Sequence, residues 1–236
     1  AHRHFGWTND KLEAFILGNQ KITANSIEFN PPSNATVTMF PAFEPKGTLQ
    51  AWKDTFQLWN ADKFVLQQFA LGMGFGSVSF YHKDSGVGKT ALLIAQAGIW
   101  GDPQALVLQK EDTYNFKMNR SEVYHSIIMP IDEITNMNPK QMSDMVYQAT
   151  GGQQRGRMSA SSNVERHRSS RWSLLTSFTA NTSVVERISM AKAMPKAEAQ
   201  RVLECRVDRL FDKTTDKVIT DAFEAGLLDN YGHAGV

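Results

Sequence analysis

Ser77-Val78-Ser79-Phe80-Tyr81-His82-Lys83-Asp84-Ser85-Gly86-Val87-Gly88-Lys89-Thr90-Ala91-Leu92-Leu93 decides the reading of this chain. An apolar run leads into a short polar loop with two glycines, and a second apolar run follows. A buried strand that feeds a tight loop and then opens a helix has this pattern. The loop meets the last three positions of G-x-x-x-x-G-K-[ST] with Gly88, Lys89 and Thr90, while Lys83 stands where that pattern has its first glycine. The chemistry that needs such residues is phosphate binding. Gly86 and Gly88 let backbone N–H groups curl around a phosphate without obstruction by side chains, and Asp84, Ser85 and Val87 complete the wrap. The helix start adds the positive end of its dipole. Lys89 can neutralise the β and γ phosphates of ATP, and the Thr90 hydroxyl can ligate Mg²⁺.

Downstream of this loop, strand and helix patterns alternate. Strands are expected at 76–82, 105–109, 126–131, 173–179 and 201–207, and helices at 89–99, 112–123, 138–149, 183–193 and 214–227. That rhythm predicts an α/β fold with a mainly parallel sheet flanked by helices. Upstream, residues 48–58 and 62–71 carry helical spacing. Residues 1–45 look β-rich, with a hairpin over 14–23 and further strands at 26–29 and 35–40. The expected organisation is therefore a small β-rich N-terminal subdomain at 1–45 and an ATPase domain at 46–236.

Two further strand ends carry chemistry. Ser126-Ile127-Ile128-Met129-Pro130-Ile131 is apolar and ends in Asp132-Glu133. Beside a phosphate loop, Asp132 would hold the metal and Glu133 would activate water. Pro130 suggests a bulge or a broken ladder there. The 173–179 strand runs into Ala180-Asn181-Thr182-Ser183. Asn181 fits either a hydrogen bond to the γ-phosphate or its water, or the N-cap of the next helix. Arg187, Arg201, Arg206 and Arg209 follow, and each could stabilise a transferring phosphoryl group from a neighbouring subunit. Arg201, at a helix-to-strand junction, is favoured.

Lys and Arg number 25 against 24 Asp and Glu, a net charge of +1, so the chain as a whole is not a strongly basic nucleic-acid binder. Residues 151–172 depart from that balance: Arg155, Arg157, Arg166, Arg168 and Arg171 face a single acid, Glu165. A Gly-, Ser- and Gln-rich basic segment suits the backbone of single-stranded DNA, and equally suits a solvated loop or ATP contacts across a subunit interface. One cysteine, Cys205, excludes an intramolecular disulfide. The uncharged run from Phe64 to Tyr81 is broken by Gly72, Gly74 and Gly76 and reads as helix, break and strand, not a membrane span. No signal peptide is evident. The expected location is the cytoplasm of a bacterial or archaeal host cell. The chain starts at Ala1 without Met, as a piece of a longer protein would.

His4-Phe5-Gly6-Trp7, Asp84 to Ala91, Gly98-Ile99-Trp100-Gly101-Asp102-Pro103, Ile131-Asp132-Glu133, Gly151 to Arg157, Gln200 to Glu204 and Tyr231-Gly232-His233-Ala234-Gly235 occur in an order and spacing that is familiar as a set. Over about residues 4–235, the chain resembles the phage and plasmid ATPase family catalogued as domain of unknown function number 927. That family is similar to hexameric replicative helicases of superfamily 3 and AAA+ type, often fused to an archaeo-eukaryotic primase. The resemblance implies a P-loop fold of the ASCE, AAA+/RecA-like kind. It gives Lys89 and Thr90 the nucleotide role and Asp132 and Glu133 the metal and water roles. It supports Arg155, Arg157 and Arg201 as functional arginines. Lys83 departs from the family's usual glycine. The implied protein is an ATP- and Mg²⁺-dependent DNA helicase or translocase that acts as a homohexameric ring on single-stranded DNA. A nucleotide-dependent DNA-binding or replisome-loading module with little unwinding is the alternative, and a small-molecule kinase is a more distant one.

Overall fold

A computed structural model describes residues 2–72, 78–153, 171–191, 195–207 and 214–233. Four short strands, β1 (Gly6–Trp7), β2 (Ala14–Leu17), β3 (Gln20–Thr23) and β4 (Ile27–Phe29), pair antiparallel in chain order. Leu17 pairs with Gln20, so Gly18 and Asn19 form a two-residue turn, with Gly18 at φ 57° as the first turn position requires. The strand expected over 35–40 does not form. Ser33 and Thr36 fold this stretch on itself: Ser33 N–H donates to Thr36 Oγ1 at 3.0 Å, and Pro41 then starts a 3₁₀ turn at Phe40–Phe43. Local side-chain bonds of this kind compete with a ladder.

Helix α1 (Leu49–Gln57) is capped by Thr48, whose Oγ1 accepts from Ala51 N–H at 3.1 Å. After α2 (Val65–Gly72) come β5 (Val78–Tyr81), α3 (Lys89–Trp100), α4 (Pro103–Leu106), α5 (Tyr114–Tyr124), β6 (Met129–Ile131), α6 (Pro139–Gly151), β7 (Thr176–Ala180), α7 (Val184–Ser189), α8 (Lys196–Ala199), β8 (Glu204–Arg206) and α9 (Thr214–Asp229). The second sheet has the order β6-β7-β5-β8, and every pair in it is parallel. The strand nearest in sequence to β5, β6, is thus not its neighbour; β7 lies between them.

The strand expected over 105–109 is a correction. Asp102 accepts from Gln104 N–H at 2.9 Å and Pro103 occupies the first turn, so helix α4 consumes the segment to Leu106. Only Leu108 reaches the sheet, as a single parallel bridge to Ile131. Pro130 neither bulges nor breaks the ladder. It stays in register with Ser177, and its carbonyl faces outward to accept Leu108 N–H at 2.9 Å, so its missing N–H costs no bond to β7.

Two apolar layers cover the sheet. Leu93, Met129, Ile131, Met145, Phe178 and Val184 share one layer with Phe5, Ile16, Leu17 and Phe43 of the N-terminal segment. The other contains Trp59, Phe64, Phe80, Leu92, Phe223 and Leu227, with Trp59 and Phe223 stacked at 3.6 Å between ring centroids. Helix α3 is buried almost all round between them, which explains its run of Ala, Leu and Ile.

The Gly98-to-Pro103 and Tyr231-Gly232-His233 segments meet in one clasp. Lys46 pairs backbone to backbone with Tyr231, its Nζ donates to Leu228 O at 2.8 Å, and its carbonyl lies 3.0 Å from His233 Nε2. Gly232 N–H donates to Gly98 O, and Asp102 N–H to Ala42 O. A Cβ on Gly101 would sit 2.2 Å from Ala42 O, so only glycine allows this approach.

Candidate functional site

The C-terminal ends of β5, β6 and β7 open on one edge of the parallel sheet, the edge where ligands of open α/β sheets bind. A cleft of about 880 Å³ lies there. Its floor is the loop between β5 and α3. Gly86 and Gly88 hold φ 74° and 95°, backbone that a side chain would strain, and Gly88 is the residue that caps α3. A Cβ on Gly86 would meet no protein atom within 4 Å, so its face is left clear toward the cleft. Lys83 is not among the described non-glycine residues with positive φ, so its backbone conformation does not demand glycine. Ser85, Gly86, Gly88, Lys89 and Thr90 line the cleft. Asp84 and Val87 do not. Val87 is buried and anchors the loop in the core, while Asp84 offers its carbonyl to Lys89.

Lys89 is drawn inward. Its Nζ donates to His82 O at 2.9 Å, Asp84 O at 3.0 Å and Asn181 Oδ1 at 2.7 Å. Burial pulls its ammonium below the ordinary lysine value, against the opposing pull of the Glu133, Asp132 and Asp84 carboxylates. Asn181 is therefore a partner of the loop lysine. The N-cap role falls instead to Ser183, which accepts from Glu186 N–H at 3.1 Å. Glu204 on β8 ties that cap down, accepting from Ser183 Oγ and from Val184 N–H, both at 2.6 Å.

Thr90 donates to the two carboxylate oxygens of Asp132 at 3.2 and 3.3 Å. Thr179 also donates to Asp132 Oδ1, and accepts from Glu133 N–H at 2.8 Å. Glu133 sits at φ 51°, a left-handed conformation that a non-glycine residue holds only when its surroundings impose it. Thr179 and Thr135 impose it: Thr135 N–H donates to Glu133 Oε1 at 3.2 Å, and Thr135 Oγ1 accepts from Asn181 N–H at 2.6 Å. Asp132, Glu133, Thr179 and Asn181 all line the cleft.

The adjacent Thr90 hydroxyl and Asp132 carboxylate are hard oxygen donors, and they fit Mg²⁺ arriving with phosphate, which takes few protein ligands. No group of three or more His, Cys, Asp or Glu side chains among the described residues is placed to hold a metal by itself.

Thr179 and Thr135 were not among the expected site residues, nor was the wall that α9 contributes through Lys217, Thr220, Asp221 and Glu224. A hydroxyl as the penultimate residue of β7, two before Asn181, is the one sequence signal that could have flagged Thr179. The arginines lie elsewhere. Arg201 does not line the cleft; its guanidinium stands 4.7 Å over the Tyr147 ring and donates to Ala197 O at 2.6 Å. Arg187 donates to Met190 Sδ, Arg206 is exposed at the end of β8, and Arg171 is exposed before β7. Arg155, Arg157, Arg166, Arg168 and Arg209 lie outside the described residues.

The fold and cleft define a mixed α/β protein with a parallel sheet flanked by helices and a glycine-rich loop at its C-terminal edge. A solved structure described as "SCCmec type IV Cch - active helicase" has this fold: it is similar over 98% of this chain with a TM-score of 0.64 at 14% identity. The chain spans 44% of the length of that protein. At this identity the likeness speaks for the fold alone. The chain belongs to the family described as domain of unknown function (DUF927), which matches residues 1–172. That match takes in the glycine-rich loop and the acidic strand and ends before β7, whereas the resemblance read from motifs ran on to about residue 235. A search of curated proteins finds no match.

Proposed function

We propose that this chain is the ATP-hydrolysing motor of a DNA helicase or translocase in a replication protein, with a P-loop core at 46–236 behind a β-rich segment at 1–45. One observation carries the reading: Lys89 and Thr90 from the loop meet Asn181 and Asp132 from two other strand ends, by hydrogen bonds of 2.7 and 3.2 Å, in one cleft. Such convergence suits a phosphoryl group and its counter-charges.

In the proposed reaction, the loop N–H groups and Lys89 hold the triphosphate. Lys89 exchanges Asn181 Oδ1 for phosphate oxygen, which frees the Asn181 amide to orient the γ-phosphate or the attacking water. Glu133 takes the proton as water attacks the γ-phosphorus, and the bond to the β-phosphate oxygen breaks to release ADP. Thr90 and Asp132 would hold Mg²⁺, which supplies neutralisation of phosphate charge. Arg201, which does not line its own cleft, would serve the cleft of a neighbouring subunit in a homohexameric ring. The arginine-rich 155–171 segment would face single-stranded DNA, and a primase-polymerase could be fused or associated.

The test is ATP turnover with and without single-stranded DNA. Lys89→Ala is expected to abolish it, and turnover that survives this change would refute the reading. Turnover without strand displacement would point to the loading or DNA-binding module instead.

A further inference from the structure

The cleft has chemistry at two ends, and the phosphate reading uses only one. Helix α9 packs along α3, with Leu227 against Gly98, and so walls the cleft beside the α3 N-terminus. Lys217, Thr220, Asp221 and Glu224 fall at i, i+3, i+4 and i+7, on one face of α9, and all four line the cleft. This face suits phosphate poorly. Asp221 and Glu224 repel it, and the neighbouring cation, Lys217, is exposed and has Asp221 beside it, Nζ to Oδ2 at 3.8 Å. Thr220 is only 4% exposed, and its Oγ1 is buried with no hydrogen-bond partner. A hydroxyl withdrawn from water and left unpaired is destabilising, and such groups in folded proteins are nearly always paired by something. Glu224 is half-buried, with its carboxyl pushed up by burial and by the Asp221 charge. A donor brought to it would stabilise the ionised form.

We infer that this face of α9 is a nucleoside subsite, in which Thr220, Asp221 and Glu224 accept the hydrogen-bond donors of the ligand's uncharged half. Two groups on a nucleotide have that chemistry, the ribose hydroxyls and the exocyclic amine of the base. The cleft volume of about 880 Å³ suits a whole nucleotide. The inference rests on the proposed nucleotide reading of the loop and adds to it which helix reads the nucleoside.

The experiment is calorimetric titration of the chain and its variants with ATP and with inorganic tripolyphosphate, both with Mg²⁺. Tripolyphosphate presents the loop with phosphates and offers α9 nothing. For T220V, D221N and E224Q, ATP affinity is expected to fall about tenfold relative to tripolyphosphate affinity, which holds in T220V and holds or rises where a repelling carboxylate is neutralised. Retained tripolyphosphate binding also shows that each variant is folded. Titration of the wild type with 2′-deoxy-ATP and with ITP then separates the two donors: a loss with the former assigns the ribose, a loss with the latter the amine. An ATP-to-tripolyphosphate ratio unchanged in all three variants would overturn the inference while leaving the loop reading intact, and so would parallel loss of both ligands. If the wild type binds neither ligand, the loop reading fails and this one with it.

Discussion

Thr179 is an ordinary strand residue by type, yet its hydroxyl joins the two acids of the site. It donates to Asp132 and accepts from Glu133 N–H, and it is fully buried while doing so. That hydroxyl helps aim Asp132 at Thr90 and, together with Thr135, holds Glu133 at φ 51°. Replacing it by a methyl of the same shape in Thr179→Val is expected to lower ATP turnover about 10–100-fold and to raise the Mg²⁺ concentration needed, as loss of a group that orients a ligand does. Thr179→Ser keeps the hydroxyl and should recover most of the rate. A Mg²⁺ titration of steady-state turnover checks both, and equal rates for Val and wild type would count against the role. That Lys89, Thr90, Asp132 and Glu133 stand at loop and strand ends was legible beforehand, because it follows from residue type and spacing along single segments, and all four line the cleft. Thr179 was not, because its importance depends on β7 lying between β5 and β6.

Elements repeat this pattern. Helix α3 and the β2–β3 hairpin follow local rules and form where periodicity and turn residues put them. The 105–109 segment has strand composition, but the Asp102-Pro103 cap upstream starts a helix that its β-formers cannot reverse. The N-terminal sheet docks through a contact of the same non-local kind. His4 stacks on His125 at 3.9 Å between centroids, and Phe5 N–H donates to Val123 O at 2.8 Å. Burial, and then the neighbouring His4, pushes the His125 pKa down to about 4. An unfolded histidine binds its proton near 6.5. Because the folded pKa is depressed, the unfolded chain takes up protons first, so stability is intact above about pH 6.5 and declines from there toward pH 4. Urea unfolding at pH 7 and pH 5 should show a lower midpoint at pH 5. In His125→Asn, which removes the titrating ring, the gap should narrow. A gap of the same size in both proteins would remove His125 as its source.

At the scale of the whole molecule, the near-neutral charge divides into an arginine-rich segment at 151–172 and a slightly acidic remainder. On the proposed reading, Arg201, which stands over Tyr147 and does not line its own cleft, serves the cleft of a neighbouring subunit. Arg201→Ala is therefore expected to bind ATP normally and to lose turnover by about 10³-fold or more. Mixing it with Lys89→Ala provides a sharper check. Each variant is inactive alone, yet a junction that pairs an intact cleft with an intact arginine should regain activity. If mixed subunits co-assemble and no activity returns, Arg201 does not act across an interface.

The sequence alone determined what is local: the glycine-rich loop between a strand and a helix, because glycine conformation and lysine charge are properties of the segment itself, and the alternating α/β rhythm, because periodicity is written in adjacent residues. Tertiary structure decided what depends on strand order and on helices packing from a distance. It brought Asn181 to Lys89, placed the Thr179 hydroxyl between the Asp132 carboxylate and the Glu133 backbone N–H, used the Tyr231-Gly232-His233 segment as a clasp for Lys46, and turned the polar face of α9 toward the cleft. The physical reason is that each of these contacts joins groups far apart in the chain, and only packing of the sheet and its two apolar layers sets their distance.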